Sequence, residues 1–178
     1  MQYRRANVKG GTYFFTVNLF DRKGSLLVDE IYILRNAMSL AIQRHPFTID
    51  AIVILPEHLH ALWTLTQGDN DFATRWMLIK TGFSRQILKG EHCIASRKKK
   101  GERGIWQRRY WEHFIRDERD YNHHVEYIHY NPVKHGYVNR ASDWQYSSIH
   151  RFIANGTIDR NWGVGMDPPD GSNFGERV

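Results

Sequence analysis

Ile49-Asp50-Ala51-Ile52-Val53-Ile54-Leu55, Pro56-Glu57-His58-Leu59-His60 and Ala61-Leu62-Trp63-Thr64-Leu65-Thr66 follow one another without a gap, and this run decides the fold. The flanking segments are apolar and rich in β-branched residues, so they read as two strands interrupted by a short turn at Pro56. Side chains alternate faces along a strand, which puts His58 and His60 on the same side of the sheet. Two imidazoles on one face make half of a metal site. The same pattern also serves as a hydrogen-bonded surface pair, so by itself it selects neither reading.

Working outward, Thr12-Tyr13-Phe14-Phe15-Thr16-Val17-Asn18-Leu19-Phe20 follows Gly10-Gly11 and reads as a strand, with Tyr13, Phe15, Val17 and Leu19 on one face. From about Asp29, Ile31, Leu34, Met38 and Ala41/Ile42 recur at helical spacing until Pro46. After the turn Gln67-Gly68-Asp69-Asn70-Asp71, the stripe Phe72, Trp76, Ile79, Phe83 and Ile87 predicts a second amphipathic helix, with Arg75, Lys80 and Arg85 off the stripe. Residues 91–104 read as a charged, glycine-containing loop, Ile105–Ile115 as a strand, and a third helix runs from about Asp117 to Asn131-Pro132. The order β-α-β-β-α-β-α predicts an α+β fold. It is a ferredoxin-like or RRM-like antiparallel sheet with helices packed on one face, plus a C-terminal helix bearing tyrosine. Residues 1–154 form the expected domain and 155–178, rich in Gly and Pro, an irregular C-terminal tail.

Composition narrows the functional classes. A hydrophobic fraction of 41% in 178 residues supports one packed domain. The single cysteine, Cys93, excludes an intramolecular disulfide and a thiolate zinc cage, and fits a reducing cytoplasm. No apolar segment follows Met1 and no window nears ~18 apolar residues, so neither a signal peptide nor a membrane helix is expected. The net charge of +6 points to a polyanionic partner. Arg97, Lys98, Lys99, Lys100, Arg103, Arg108 and Arg109 stand against the single Glu102, so this one segment carries a charge equal to the whole chain's +6. Such concentration suits phosphate contacts, with Trp106, Tyr110 and Trp111 as stacking surfaces for unpaired bases. A solvated loop over inward-facing aromatics fits the same residues.

The densest stretch is Tyr121 to Val138. Tyr127 and Asn131, four apart, share one helix face, and Pro132 places Asn131 at or near the helix end. Two imidazoles and an amide oxygen, with positions left for phosphate oxygens, suit Mg2+ or Mn2+. Tyr127 would then be the nucleophile. A phenol with a pKa near ~10 needs its target polarised to react at neutral pH. The alternative leaves Tyr127 as a packing residue and Asn131 as a C-cap.

Three motifs resemble one family: Pro56-Glu57-His58-Leu59-His60, Trp106-Gln107-Arg108-Arg109-Tyr110-Trp111-Glu112-His113, and Tyr127-Ile128-His129-Tyr130-Asn131-Pro132-Val133-Lys134-His135-Gly136. Together with Tyr3-Arg4-Arg5 and Lys9-Gly10-Gly11-Thr12 they are similar to the REP-associated tyrosine transposases, single-tyrosine relatives of the HUH transposases of small insertion sequences. The likeness spans most of residues 3–150.

It implies a metal-dependent single-stranded DNA endonuclease and strand transferase acting on REP-like hairpin DNA. His58 and His60 would be the metal-binding pair, Tyr127 the nucleophile that forms a 5′-phosphotyrosine, and Asn131 the additional ligand. Arg4, Arg5 and the basic segment from Arg97 to Arg109 would hold DNA. The protein would act without a membrane, as monomer or homodimer. Two other readings compete: a non-catalytic single-stranded nucleic-acid binder on an RRM-like sheet, and a metal-dependent phosphodiesterase using activated water.

Overall fold

The first strand, β1 (Thr12–Asn18), is followed by a short helix, α1 (Leu26–Asp29), and by α2 (Ile31–Arg44). The hairpin β2 (Phe47–Ile54) and β3 (His58–Leu65) comes next, then α3 (Phe72–Gln86), the single turn α4 (Ala95–Lys98) and β4 (Trp111–Phe114). The long helix α5 (Glu118–Lys134), a 3-10 turn at Ala141–Asp143 and α6 (Ile149–Ala154) complete the regular elements among the described residues. The computed structural model describes residues 8–90, 95–99, 101–167, 169 and 174–176. The sheet order is β2-β3-β1-β4 with every neighbouring pair antiparallel, which is the predicted ferredoxin-like arrangement.

Alternation along β1 and β3 sorts the sheet into two chemically different faces. Tyr13, Phe15 and Val17 of β1 stand opposite Trp63, Ala61 and Leu59 of β3 and join α2 and α3 in the larger apolar cluster. Phe14, Thr16 and Asn18 stand opposite Leu62, His60 and His58 on the other face. β2 changes sides part-way. The pairing skips from Ile49↔Trp63 to Ala51↔Leu62, leaving Asp50 as an extra residue. A one-residue bulge inverts the alternation, so Phe47 and Ile49 pack with the helices while Ala51 and Val53 turn to the far face. Thr64 Oγ1 donates to Asp50 Oδ2 at 2.7 Å and anchors the bulge.

Two expectations need correction. Ile105–Ile115 is not one strand: only Trp111–Phe114 pairs with β1, and Trp106 makes an isolated bridge to Leu19. Ile105 and Trp106 are buried in the helix-side core, so their apolarity serves packing. Arg75 is buried although it lies off the apolar stripe of α3. Its guanidinium donates to the carbonyls of His45, Asp71 and Pro46 and to Asp69 Oδ2, at 3.1, 2.8, 2.8 and 2.6 Å. A buried cation is tolerated when its donors are satisfied in this way. The far face of the sheet is covered in turn: α5 lies across β2 and β3 and buries Val125, Tyr127 and Ile128 against Phe14, Val53 and Leu62.

α5 also runs one turn further than Pro132 suggests. Its start is capped by Asp117 Oδ1, which accepts from the Asp120 amide at 2.8 Å, and Glu118 and Asp120 lie in the first turn. Pro132 lies inside the helix, where it removes a single backbone donor. The helix ends at Gly136, whose φ of 71° is available to glycine. The Tyr137 amide donates to the Pro132 carbonyl at 3.0 Å and the Gly136 amide to Val133 at 2.9 Å, which is a Schellman closure. Asn131 therefore lies in the helix interior, and Lys134 in its last turn.

Candidate active site

β3 presents His58 and His60 from the sheet, and α5 presents Tyr127 and Asn131 from above. All four are buried. The ring centroids of His58 and His60 lie 4.9 Å apart, and those of His60 and Tyr127 lie 5.3 Å apart. The structure thus brings together four residues that the sequence separates by some seventy positions, and the constellation is the predicted one.

Neighbours orient both imidazoles. His58 Nδ1 lies 2.7 Å from Glu57 Oε1. Burial would raise the Glu57 carboxyl, but the His58 hydrogen bond and charge dominate and hold it at about 2. An ionised carboxylate only accepts, so Nδ1 carries a proton and Nε2 is the nitrogen left to face the site. That Nε2 is buried and lacks a hydrogen-bond partner among the described residues, as does Asn131 Oδ1. His60 Nδ1 lies 2.8 Å from Thr16 Oγ1, and burial, opposed by Glu176, brings its pKa down to about 3. An unsatisfied buried imidazole nitrogen and an unsatisfied buried amide oxygen, with the His60 ring beside them, fit a divalent cation. A carboxylate joins them: one ligand atom each from His58, His60 and Glu176 lie within 4.8 Å of one another.

Glu176 comes from the segment expected to be an irregular tail. Phe174-Gly175-Glu176 lies across the site, and the Glu176 carboxylate is held by nearly every group there. His60 Nε2 lies 2.8 Å from Oε1, Asn131 Nδ2 donates to Oε1 at 2.8 Å, and Tyr127 donates its hydroxyl proton to the same oxygen. Lys134 Nζ donates to Oε2 at 2.8 Å, and His135 Nε2 lies 3.2 Å from it. Burial alone would raise this carboxyl; hydrogen bonds from His135, His60 and Lys134 instead hold it far below the usual range. The converse holds for the nucleophile candidate. Burial first, then the hydrogen bond and charge of Glu176, push the Tyr127 phenol well above 10. Lys134 Nζ also donates to the Tyr127 oxygen at 3.0 Å and lies 4.7 Å over its ring. With the tail in place the phenol is protonated and covered.

The expected DNA contacts divide. Arg97 is buried, donates to the Trp106 carbonyl at 2.8 Å and lies 4.6 Å over the Phe20 ring. Arg103 donates to the carbonyls of Ser84, Ile87 and Leu88 at the end of α3. Arg108 pairs with Glu102 at 2.7 Å and is exposed, as are Lys99 and Arg109. Arg4, Arg5, Lys100 and the side chain of Lys98 lie outside the described residues.

Sequence reading missed Glu57, Thr16, Lys134 and Glu176. Lys134 carried a signal, since it lies seven residues, two helical turns, beyond Tyr127 and on the same face. Glu176 carried none.

A sheet-borne imidazole pair facing a helix-borne phenol is the layout expected of a single-tyrosine transposase of the HUH class, and comparison with known proteins bears on that class. No protein-family model matches the chain. The chain is 46% identical over 161 residues to the REP-associated tyrosine transposase of Escherichia coli K12, covering 90% of each. It is 46% identical over 166 residues to a Haemophilus influenzae Rd protein provisionally assigned to the same group, covering 93% of this chain and 94% of that one. A solved structure of a REP-associated tyrosine transposase bound to a REP hairpin superposes with a TM-score of 0.83 at 44% identity, over 100% of this chain and 98% of that one. The chain belongs to the REP-associated tyrosine transposases, and it is a DNA transposase. Among the described residues, no helix is long and apolar enough to cross a membrane.

Proposed function

We propose that the chain cleaves and rejoins single-stranded DNA beside a REP-like hairpin, with Tyr127 as nucleophile, His58, His60 and Asn131 as metal ligands, and the scissile phosphate where Glu176 now lies. One observation carries this: every group around the Glu176 carboxylate is one that would recognise a phosphate oxygen. The carboxylate is a stand-in anion, and Tyr127, Asn131 and Lys134 already converge on it.

Once DNA displaces the tail, the carboxylate that holds the Tyr127 proton is replaced by the far less basic scissile phosphate, and the Lys134 ammonium remains beside the phenol oxygen. That oxygen attacks phosphorus and its proton passes to solvent water, while the P–O3′ bond breaks and the 3′ oxygen takes up a proton from solvent. The products are a 5′-phosphotyrosine and a free 3′-OH, and reversal by another 3′-OH joins strands without a nucleotide cofactor. His58, His60 and Asn131 would hold a divalent cation, Mg2+ or Mn2+, which when bound would polarise the phosphate and neutralise its developing charge. Glu57 and Thr16 keep the two imidazoles in place, the task of groups behind metal ligands. Exposed Lys99, Arg108 and Arg109 suit contacts to the DNA backbone, and a cytoplasmic location fits the substrate and the single cysteine.

The test is to incubate the full chain with a REP-sequence hairpin bearing single-stranded flanks and Mn2+. A denaturation-resistant protein–DNA adduct is expected, absent without metal and absent in Tyr127→Phe. Cleavage that survives Tyr127→Phe removes the assignment and favours activated water.

A further inference from the structure

Next to the catalytic groups lies an aromatic recess that the chemistry above does not use. The Phe174 ring sits among Phe14, Trp111, His123, His124 and Tyr127, with centroid distances of 5.6, 5.8, 5.4, 4.5 and 4.7 Å. Phe14 and His124 are its buried floor, and Trp111 and His123 are half-buried at its rim. The segment is held closely. Thr16 Oγ1 donates to the Phe174 carbonyl at 2.5 Å. Gly175 has φ 74°, and a Cβ there would lie 2.4 Å from Trp111 Cβ, so only glycine lets the backbone pass. An aromatic ring in the recess is thereby followed, two residues on, by an anion among the catalytic groups.

The recess also holds a polar atom that phenylalanine leaves unused. His124 Nδ1 lies 2.8 Å from the Asp120 carbonyl, which can only accept, so Nδ1 carries the proton and Nε2 the lone pair. Nε2 is buried and has no hydrogen-bond partner among the described residues. Burial brings the His124 pKa down to about 4, which keeps Nε2 an acceptor at neutral pH. A hydrocarbon ring gives it nothing; the edge of a nucleobase carries the N–H it lacks. The adjoining cleft is lined by Arg116, Arg119 and His123 together with Asp117 and Asp120, and exposed Arg119 is the cation there that a following phosphate would meet.

We propose that this recess binds the unpaired nucleobase adjoining the scissile phosphate, and that Phe174 and Glu176 occupy the base and phosphate positions of a single nucleotide. The inference rests on the strand-cleavage reading above and adds a base-binding subsite to it. Aromatic rims of this kind hold unpaired bases by stacking, worth about tenfold or more in affinity per base. The recess therefore helps to select where the strand is cut, and its tail competitor is displaced only by DNA that fills both positions.

The experiment uses full-length Tyr127→Phe protein, so that binding is read without cleavage, and fluorescence anisotropy with REP-sequence hairpins that are blunt or flanked by single strands. Adding Phe174→Ala is expected to tighten binding of the flanked hairpin about tenfold and to leave the blunt hairpin unchanged. In that double variant, a further Trp111→Leu or His123→Ala reverses the gain. One abasic position in the flank reproduces the loss, and the two losses do not add. His123→Ala, half-exposed on α5, serves if Trp111→Leu disturbs β4 in a thermal melt. Equal gains with blunt and flanked hairpins, or the absence of any abasic position coupled to Trp111 and His123, overturn the subsite. The adduct assay with Tyr127 intact reports separately: an adduct without coupling removes the recess alone, whereas no adduct removes the cleavage reading beneath it.

Discussion

The two faces of the sheet are made by the same strands, yet one carries the fold and the other the chemistry. Leu59, Ala61 and Trp63 face α2 and α3, where Trp63 stacks on Trp76 at 4.1 Å. His58 and His60, interleaved with them, face Tyr127 and Asn131. Period-two alternation lets a strand bury its apolar residues on one side and so hold its polar ones rigidly on the other. The stiffness of the helix-side core is what allows buried, unsatisfied nitrogen and oxygen atoms to persist at the site.

That contrast can be broken face by face. On the site face, His60→Ala should lower adduct formation by about a hundredfold or more while changing the melting temperature little, because it removes electrostatic support and not the apolar core. A comparable loss of fold would show that the site residues are structural. On the helix face, Trp63→Ala should cost ~3–5 kcal/mol in chemical denaturation through lost packing. Protein that remains folded should keep its adduct rate.

The next effect is acid lability. Burial depresses His129, on the α6 side of α5, to about 3. A histidine depressed in the folded state is protonated first in the unfolded chain, so its contribution is complete above pH ~6.5 and lost as pH falls toward the folded value. At pH 5 that amounts to roughly 2 kcal/mol. A His129→Gln variant should therefore show a flatter stability profile between pH 7 and 5; an unchanged slope would place the lability elsewhere. The smallest effect concerns the tail. Glu176→Gln removes a carboxylate held by charge-assisted bonds, and cleavage should rise roughly tenfold, the scale of one such bond. A fall in cleavage would instead make Glu176 a working ligand.

Most of the fold was legible because its determinants are local. The amphipathic stripe from Phe72 to Ile87 and the capping Asp71, which accepts from the Thr74 amide at 2.9 Å, sit in adjacent sequence. Where reading failed, long-range packing had overruled local pattern. Ile105 and Trp106 look like strand residues but fill the core, and Arg75 looks solvent-facing but caps the adjacent His45 and Pro46 carbonyls, some thirty residues away in the chain. The basic run misleads for the same reason, since charge density says nothing about which guanidiniums turn inward, as Arg97 and Arg103 do.

The sequence by itself determined the strand pair bearing His58 and His60, the helix bearing Tyr127 and Asn131, and through its motifs the family. Those features are written in periods of two and in spacings of four. Only the tertiary structure decided that Glu176 lies on the nucleophile, that the far face of the sheet is closed, and that Phe174 fills an aromatic recess beside the site. Such contacts join residues up to 158 positions apart, as Thr16 and Phe174 are, and no local periodicity records a meeting between segments so distant.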